Sequence, residues 1–233
     1  MADSEWQCVR RGRGGARKGK FSQSEKSQAH ESVDRERDRH RITEAINELR
    51  CEDFWPEWKE ILSGCLAETV DKTVEGTDCF IECVCYGLGN FSSSVSARYQ
   101  LAMLLLLLDA LQIPVGWCSL YDPVFTVSEC ETLRELGFTV LTENEEGKRA
   151  AYHPTLFYLM HCGKALYNNL LWKNWSPQIL SNIIIIGNSF LGIQERMLQK
   201  ELERDYNYLS DVSLKVLGRY ANFTTGITTQ KLI

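Results

Sequence analysis

No apolar run follows Arg10, Arg11 and Arg13, so neither a signal peptide nor a membrane anchor is expected at the start of this chain. Nor is any stretch long enough to span a bilayer. The most apolar one, LAMLLLLLDAL from Leu101 to Leu111, covers about 11 residues against the roughly 20 required, with Arg98 and Asp109 beside or inside it. It reads as a core helix. Paired cysteine spacing is missing as well. Nine cysteines, an odd number, are scattered along the chain, which argues against a disulfide framework and for a reducing compartment, the cytoplasm with the nucleus as a second location. No internal repeat is found. Cys79, Cys83 and Cys85 share one face of a strand by parity, which suits packing better than tetrahedral zinc, and no metal is assigned.

What is present fits one α/β domain with appendages: 233 residues, 44% hydrophobic and 24% charged. Charge is uneven. Residues 1–41 carry a net +4, leaving −9 for the remainder of a chain whose total is −5. Gly, Ser, Arg and Glu dominate that first segment, so ordering it would cost backbone entropy with little burial in return, and it is expected to be a disordered tail. Its RRGRGGARKGK string suits electrostatic contact with RNA, nuclear import, arginine methylation or simple solvation.

From Ile42 to about Lys72, apolar residues at three- and four-residue spacing predict a helical pair split at Pro56, with Trp55 and Trp58 fixing it to the body. CFIECVCYGLG, from Cys79 to Gly89, reads as a buried strand entering a tight turn. Ser92, Ser93 and Ser94 are candidate caps for a helix from Val95 to Leu111. A second strand is expected over Val115 to Tyr121, then a helix opened by a Ser128/Glu131 capping box and ended by Gly137. Strands over Phe138 to Thr142 and Leu156 to Met160 follow, with a helix from Lys164 to Trp172 and a short one restarting at Ser176-Pro177. Ile183 to Ile186 is an unbroken β-branched run. Beyond it a charged amphipathic helix is expected from Ile193 to Tyr208, and a further element over Leu214 to Tyr220. This order predicts a Rossmann-like α/β fold, mostly parallel with helices on both faces, preceded by a helical segment and the basic tail. The helix-free link from Glu143 to Thr155 suggests one antiparallel strand there.

Such sheets bind ligands outside the carboxyl ends of their strands. The residues leaving each strand are therefore the candidate site: Gly87, Gly89, Asn90 and Ser92; Tyr121 and Asp122; Glu143 and Asn144; His161 and Cys162; Asn188 and Ser189. All are polar or glycine, which turns also prefer. GLGNFSSS has the first two glycines of a dinucleotide fingerprint with Ser92 at the third, and amides at the following helix N-terminus suit a phosphate or carboxylate. Asp122 stands where cofactor-binding folds place a ribose-binding carboxylate, or it is a turn residue before Pro123. His161 and Cys162, adjacent on an extended chain, point to opposite faces and cannot pair as base and nucleophile, although either suits a ligand such as haem. Glu143, Glu145 and Glu146 offer acid/base carboxylates or a solvated charge run.

The strings CYGLGNFSSSVSARYQLA, YDPVF, LTENEEGKR, TLFYLMHC, LYNNLLWKNW and IIIIGNSF, in this order, resemble the sensitivity-to-red-light-reduced domain family, over about Cys79 to Phe190. The resemblance, to an animal member, implies a regulatory protein of circadian clock gene expression and haem biosynthesis, with protein partners and without established catalysis. It also implies that the strand exits carry the function. The alternative is an enzyme using adenosylmethionine or a dinucleotide, methyltransferase-like, with Glu143 or His161 assisting.

Overall fold

The computed structural model describes residues 23–70, 81–215, 221–222 and 227–231. Two helices come first, α1 (Gln23–Cys51) and α2 (Phe54–Val70). The alternating part runs β1 (Glu82–Tyr86), α3 (Val95–Ala110), β2 (Cys118–Tyr121), α4 (Val127–Glu135), β3 (Thr139–Val140), β4 (Thr155–Leu159), α5 (Lys164–Lys173), α6 (Pro177–Leu180) and β5 (Ile183–Asn188). It closes with α7 (Phe190–Glu195), α8 (Gln199–Asp205), α9 (Asn207–Lys215), β6 (Ala221–Asn222) and β7 (Ile227–Lys231).

Successive strand residues face opposite sides, and this sheet is apolar on both, as a doubly covered parallel sheet must be. Cys83, Cys85, Leu120, Tyr158 and Ile184 pack towards α1 to α4; Val84, Tyr86, Phe157, Leu159 and Ile185 pack towards α5 and the C-terminal helices. Strand order is 3-2-1-4-5-7-6, and the first five strands are parallel. The chain grows outward from β1 to β3 and then returns to the other side of β1, which makes the gap between the exits of β1 and β4 the topological switch point. The Rossmann-like expectation holds.

Local chemistry explains most boundaries. Ser94 caps α3 by accepting from Ala97 N, and Ser176 caps α6 with Pro177 at its first position. Pro56 lies in the first turn of α2, where its missing N–H costs nothing. At Gly187 an added methyl would stand 2.3 Å from the Tyr167 hydroxyl and 2.8 Å from Leu159 O, so only glycine lets α5 lie this close to β5.

Several expectations are corrected. Residues 23–41, assigned to the tail, belong to α1. This segment is held by polar anchors that an apolar count does not register: Arg35 pairs with Glu131 and Glu135, and Asp38 is only 3% exposed. RRGRGGARKGK lies outside the described residues. The α4 capping box is Thr126 with Glu129, not Ser128 with Glu131, because Glu129 also accepts from the glycine loop while Glu131 is engaged by Arg35. Residues Val115–Trp117 form a 3₁₀ turn ahead of β2. The link from Leu141 to Pro154 leads to a parallel strand, and the antiparallel one is β7 beside β5. Buried Asn174 holds that link in place of a helix, accepting from Ala151 N and donating to Arg149 O, each at 2.8 Å. The helix expected from Ile193 to Tyr208 is three short ones. Breaking the chain at Leu198 and Tyr206 lets Ile193, Leu202 and Leu209 all reach the core, and Asn168 Oδ1 accepts from Tyr208 N and Leu209 N at the start of α9. Cys79 and the stretch 216–220 lie outside the described residues.

Candidate functional site

The loop after β1 turns on two glycines in left-handed backbone, Gly87 at φ +66° and Gly89 at φ +85°. Its amides point inward, as those of an anion-binding loop do. Protein groups already occupy them. Gly89 N donates to Asp122 Oδ2 at 2.8 Å, and Ser92 N donates to Glu129 Oε1 at 2.9 Å. Ser93 N donates to Asn90 Oδ1 at 2.9 Å, and Ser94 N to Asn90 O at 3.0 Å. Asp122 also accepts from Val124 N through Oδ1, so both its oxygens serve backbone. Gly89, Asn90, Ser92 and Asp122 thus come together, as their places at neighbouring strand exits predict. A pyrophosphate would have to displace two carboxylates to enter this loop.

Asp38 and Glu129 complete the cluster, and the sequence reading missed both as site residues. Asp38 accepts from Ser92 Oγ at 2.5 Å, fastening α1 to the loop from 54 positions away. Glu129 is fully buried, and besides Ser92 N it accepts from Thr126 N and Thr126 Oγ1. The capping box expected in sequence is Ser128 with Glu131, and the spacing of Thr126 and Glu129 would mark Glu129 only as a local cap. Nothing in the sequence signalled Asp38.

A second group closes the other side of the switch point. Cys162 Sγ donates to Tyr86 O at 3.1 Å, and Asn188 Nδ2 donates to Cys162 O at 3.3 Å. A methyl at Gly87 would meet the Cys162 sulfur at 2.8 Å. Burial, helped by the Asp122 carboxylate, pushes the thiol up to about 12, so it stays protonated at neutral pH and is no nucleophile. Asn188 N donates to the Tyr167 hydroxyl, which donates in turn to Leu159 O. These contacts tie β1, β4 and β5 together at their ends.

The acidic loop is arranged differently from the expectation. Glu143 and Asn144 are exposed, and Asn144 Oδ1 caps Glu146 N at 2.8 Å. Glu145 is the residue that turns inward. It accepts from the Tyr86 hydroxyl and from Arg149 Nη1, while Arg149 Nη2 reaches Glu82 at 2.5 Å. Burial, and then Glu145, push the Tyr86 hydroxyl well above its usual range. Burial works against the Arg149 charge, but Glu82 and Glu145 outweigh it and raise its affinity for the proton. No acid/base pair of carboxylates forms, since the inward one is bound to a guanidinium.

His161 and Cys162 diverge as adjacent residues should. While Cys162 faces β1, the exposed His161 lines a cavity of about 270 Å³ on the α3 side of the sheet. They do not converge on one haem iron. The first half of α3 and the exit of β4 form the cavity walls, through Tyr99, Gln100, Met103 and Met160. Phe54 and Trp58, from the start of α2, close it. None of these aromatic and amide residues stood out in sequence, because they come from segments far apart and read individually as core. Among the described residues, no three His, Cys, Asp or Glu side chains are grouped to hold a metal, and no helix is long and apolar enough to cross a membrane.

A family model, that of the SRR1 domain, matches residues 66–224. The SRR1-like protein of Mus musculus is 42% identical over 202 residues, covering 76% of this chain and 81% of the relative. Protein SENSITIVITY TO RED LIGHT REDUCED 1 of Arabidopsis thaliana is 32% identical over 153 residues, covering 66% of this chain and 56% of the relative. For the SRR1-like protein of Drosophila melanogaster the identity is 36% over 148 residues, with 56% of this chain and 53% of the relative covered. No solved structure matches. The matched span runs from α2 to β6 and contains every strand exit described above, so the chain belongs to the SRR1 domain family.

Proposed function

We propose that this chain is a regulatory protein, acting in circadian clock gene expression and in control of haem biosynthesis, whose strand-exit crevice binds a small molecule or a protein partner without turnover. Family membership supports the regulatory part, as does the Arabidopsis relative, whose name refers to sensitivity to red light. The observation that carries the absence of turnover is the glycine loop. Its amides are filled by Asp122, Glu129 and Asn90, and the nearby thiol is held protonated.

The second reading is an adenosylmethionine- or dinucleotide-dependent enzyme, methyltransferase-like. It is favoured by an acid at the end of β2 touching a glycine loop at a topological switch point. One pair of measurements separates the two. Adenosylmethionine, with NAD as control, is titrated calorimetrically into the full chain and into Asp122→Ala. Flat heats are expected. Micromolar binding, about −8 kcal/mol, that disappears in Asp122→Ala would make the enzyme reading the better one. In cells, Asp122→Ala is expected to change clock-reporter rhythm while the protein stays folded; an unchanged rhythm would remove the crevice from the regulatory account.

We further place the protein in the cytoplasm and nucleus, with the Arg/Gly tail contacting RNA. Deleting residues 1–22, which leaves α1 whole, is expected to abolish salt-sensitive RNA retention, and retention unchanged by the deletion would refute the contact.

A further inference from the structure

The cavity beside His161 has the chemistry of a specific pocket. Its walls are built chiefly of aromatic side chains and thioethers, from Trp58, Tyr99, Tyr158, Met103 and Met160. Ser96, Gln100 and His161 are the polar members, and no Lys, Arg, Asp or Glu lines it. A charged occupant would therefore be desolvated without a counter-charge, so the ligand is neutral. Aromatic faces and methionine sulfurs both favour a flat ring, whose edge and face they contact in preferred geometries. Trp55 packs against Trp58 at a tilt, with ring centroids 5.9 Å apart and planes at 48°.

Size narrows the class. A cavity of about 150 Å³ takes a single benzene ring. The 270 Å³ here leaves room for a second fused ring and excludes a tetrapyrrole held wholly inside.

One polar group remains to be satisfied. Gln100 lines the cavity at 9% exposure, and its Oε1 meets no donor among the described residues. Buried amide oxygens are seldom left so. The backbone carbonyl of the same residue is occupied, accepting from the Tyr158 hydroxyl at 3.0 Å. The terminal torsion of glutamine is broad, so the amide can turn its oxygen towards an occupant.

We propose that this cavity binds a neutral, planar two-ring aromatic compound whose single N–H or O–H donates to Gln100. The proposal goes beyond the reading of the strand-exit crevice, since of the candidate strand-exit residues only His161 lines this cavity.

The test uses the full chain with ¹³C-methyl methionine. Met103 and Met160 line the cavity, and Met197 packs on the opposite face of the sheet as an internal control. Indole is titrated against indene, which has the same shape and no N–H. Saturable shifts are expected at Met103 and Met160 and none at Met197, with indole binding roughly tenfold tighter than indene. Gln100→Leu, which keeps the size and removes the unpartnered oxygen, is expected to fold at least as stably and to equalise the two ligands. Silent Met103 and Met160 methyls up to the solubility limit of indole would overturn the proposal. So would equal shifts at all three methyls, or a preference for indole that survives Gln100→Leu. Asp122 does not line this cavity, so a failure here leaves the Asp122→Ala outcome in cells intact, and a failure there leaves these shifts intact.

Discussion

Glu129→Ala is expected to destabilise the protein by roughly 3 kcal/mol and to loosen the glycine loop and α1 together. Three donors lose their acceptor at once: Ser92 N, Thr126 N and Thr126 Oγ1. Each buried donor left unpaired costs about 1–3 kcal/mol, and lost capping alone costs about 1. The contributions overlap because the same loop relaxes for all of them, which keeps the total below their sum. Ser92 also carries the Asp38 contact, so movement of its backbone frees the middle of α1 from the loop. Glu129→Gln is the informative control. One amide oxygen can serve either Ser92 or Thr126, but its NH₂ must then face the other donor, and about half the loss is expected. Urea unfolding measures the stability, and hydrogen exchange of amides in α1 and at the start of α3 reads the loosening. Alanine within about 0.5 kcal/mol of the parent would show that the loop is held by the glycine turns alone.

The same cluster shows how far the sequence can be read. β5 was legible because four consecutive isoleucines admit little but a buried strand, and α3 because serines precede a long apolar run. These are local signals. Asp122 was legible for the same reason: a carboxylate closing a strand next to proline has few roles, and it does sit against Gly89. What was not legible depends on partners distant in sequence. Ahead of Ile42, α1 is polar and is anchored by Arg35 with Glu131 and Asp38 with Ser92, pairs that no periodicity reveals. Thr126/Glu129 and Ser128/Glu131 fit the capping pattern equally well, and only the demand of Ser92 N decides between them. Glu143 and Glu145 have the same side-chain chemistry, and Arg149 selects the second. The cavity combines Trp58 with Gln100 and His161, each of which is ordinary by itself.

Raising the pH from about 8 to about 10 is expected to remove stability, in contrast to a protein whose surface ion pairs dominate. Burial, with smaller contributions from neighbouring thiols and carboxylates, holds the thiols of Cys85, Cys118 and Cys162 above the ordinary value of 9.0. In the unfolded chain they ionise near that ordinary value, whereas in the folded chain they do so only at higher pH. The unfolded state therefore sheds its protons first, so the stabilisation is complete below about 9 and declines as pH rises towards the folded values. For Cys162, raised to about 12, the loss by about pH 10 is roughly 1.4 kcal/mol, and the other two thiols add to it with the same sign. Tyr86, Tyr158 and Tyr167, also raised chiefly by burial, extend the decline above about 10. Urea midpoints measured under reducing conditions across this range test the slope. Cys162→Ser keeps a donor for Tyr86 O but does not titrate there, so it should flatten the profile by about one proton's share. A profile level between about 8 and 10 would mean that these thiols are hydrated in the native state. In that event Cys162 would be open to reagents at the mouth of the crevice, and its assignment as an inert tie between β1 and β4 would have to be abandoned.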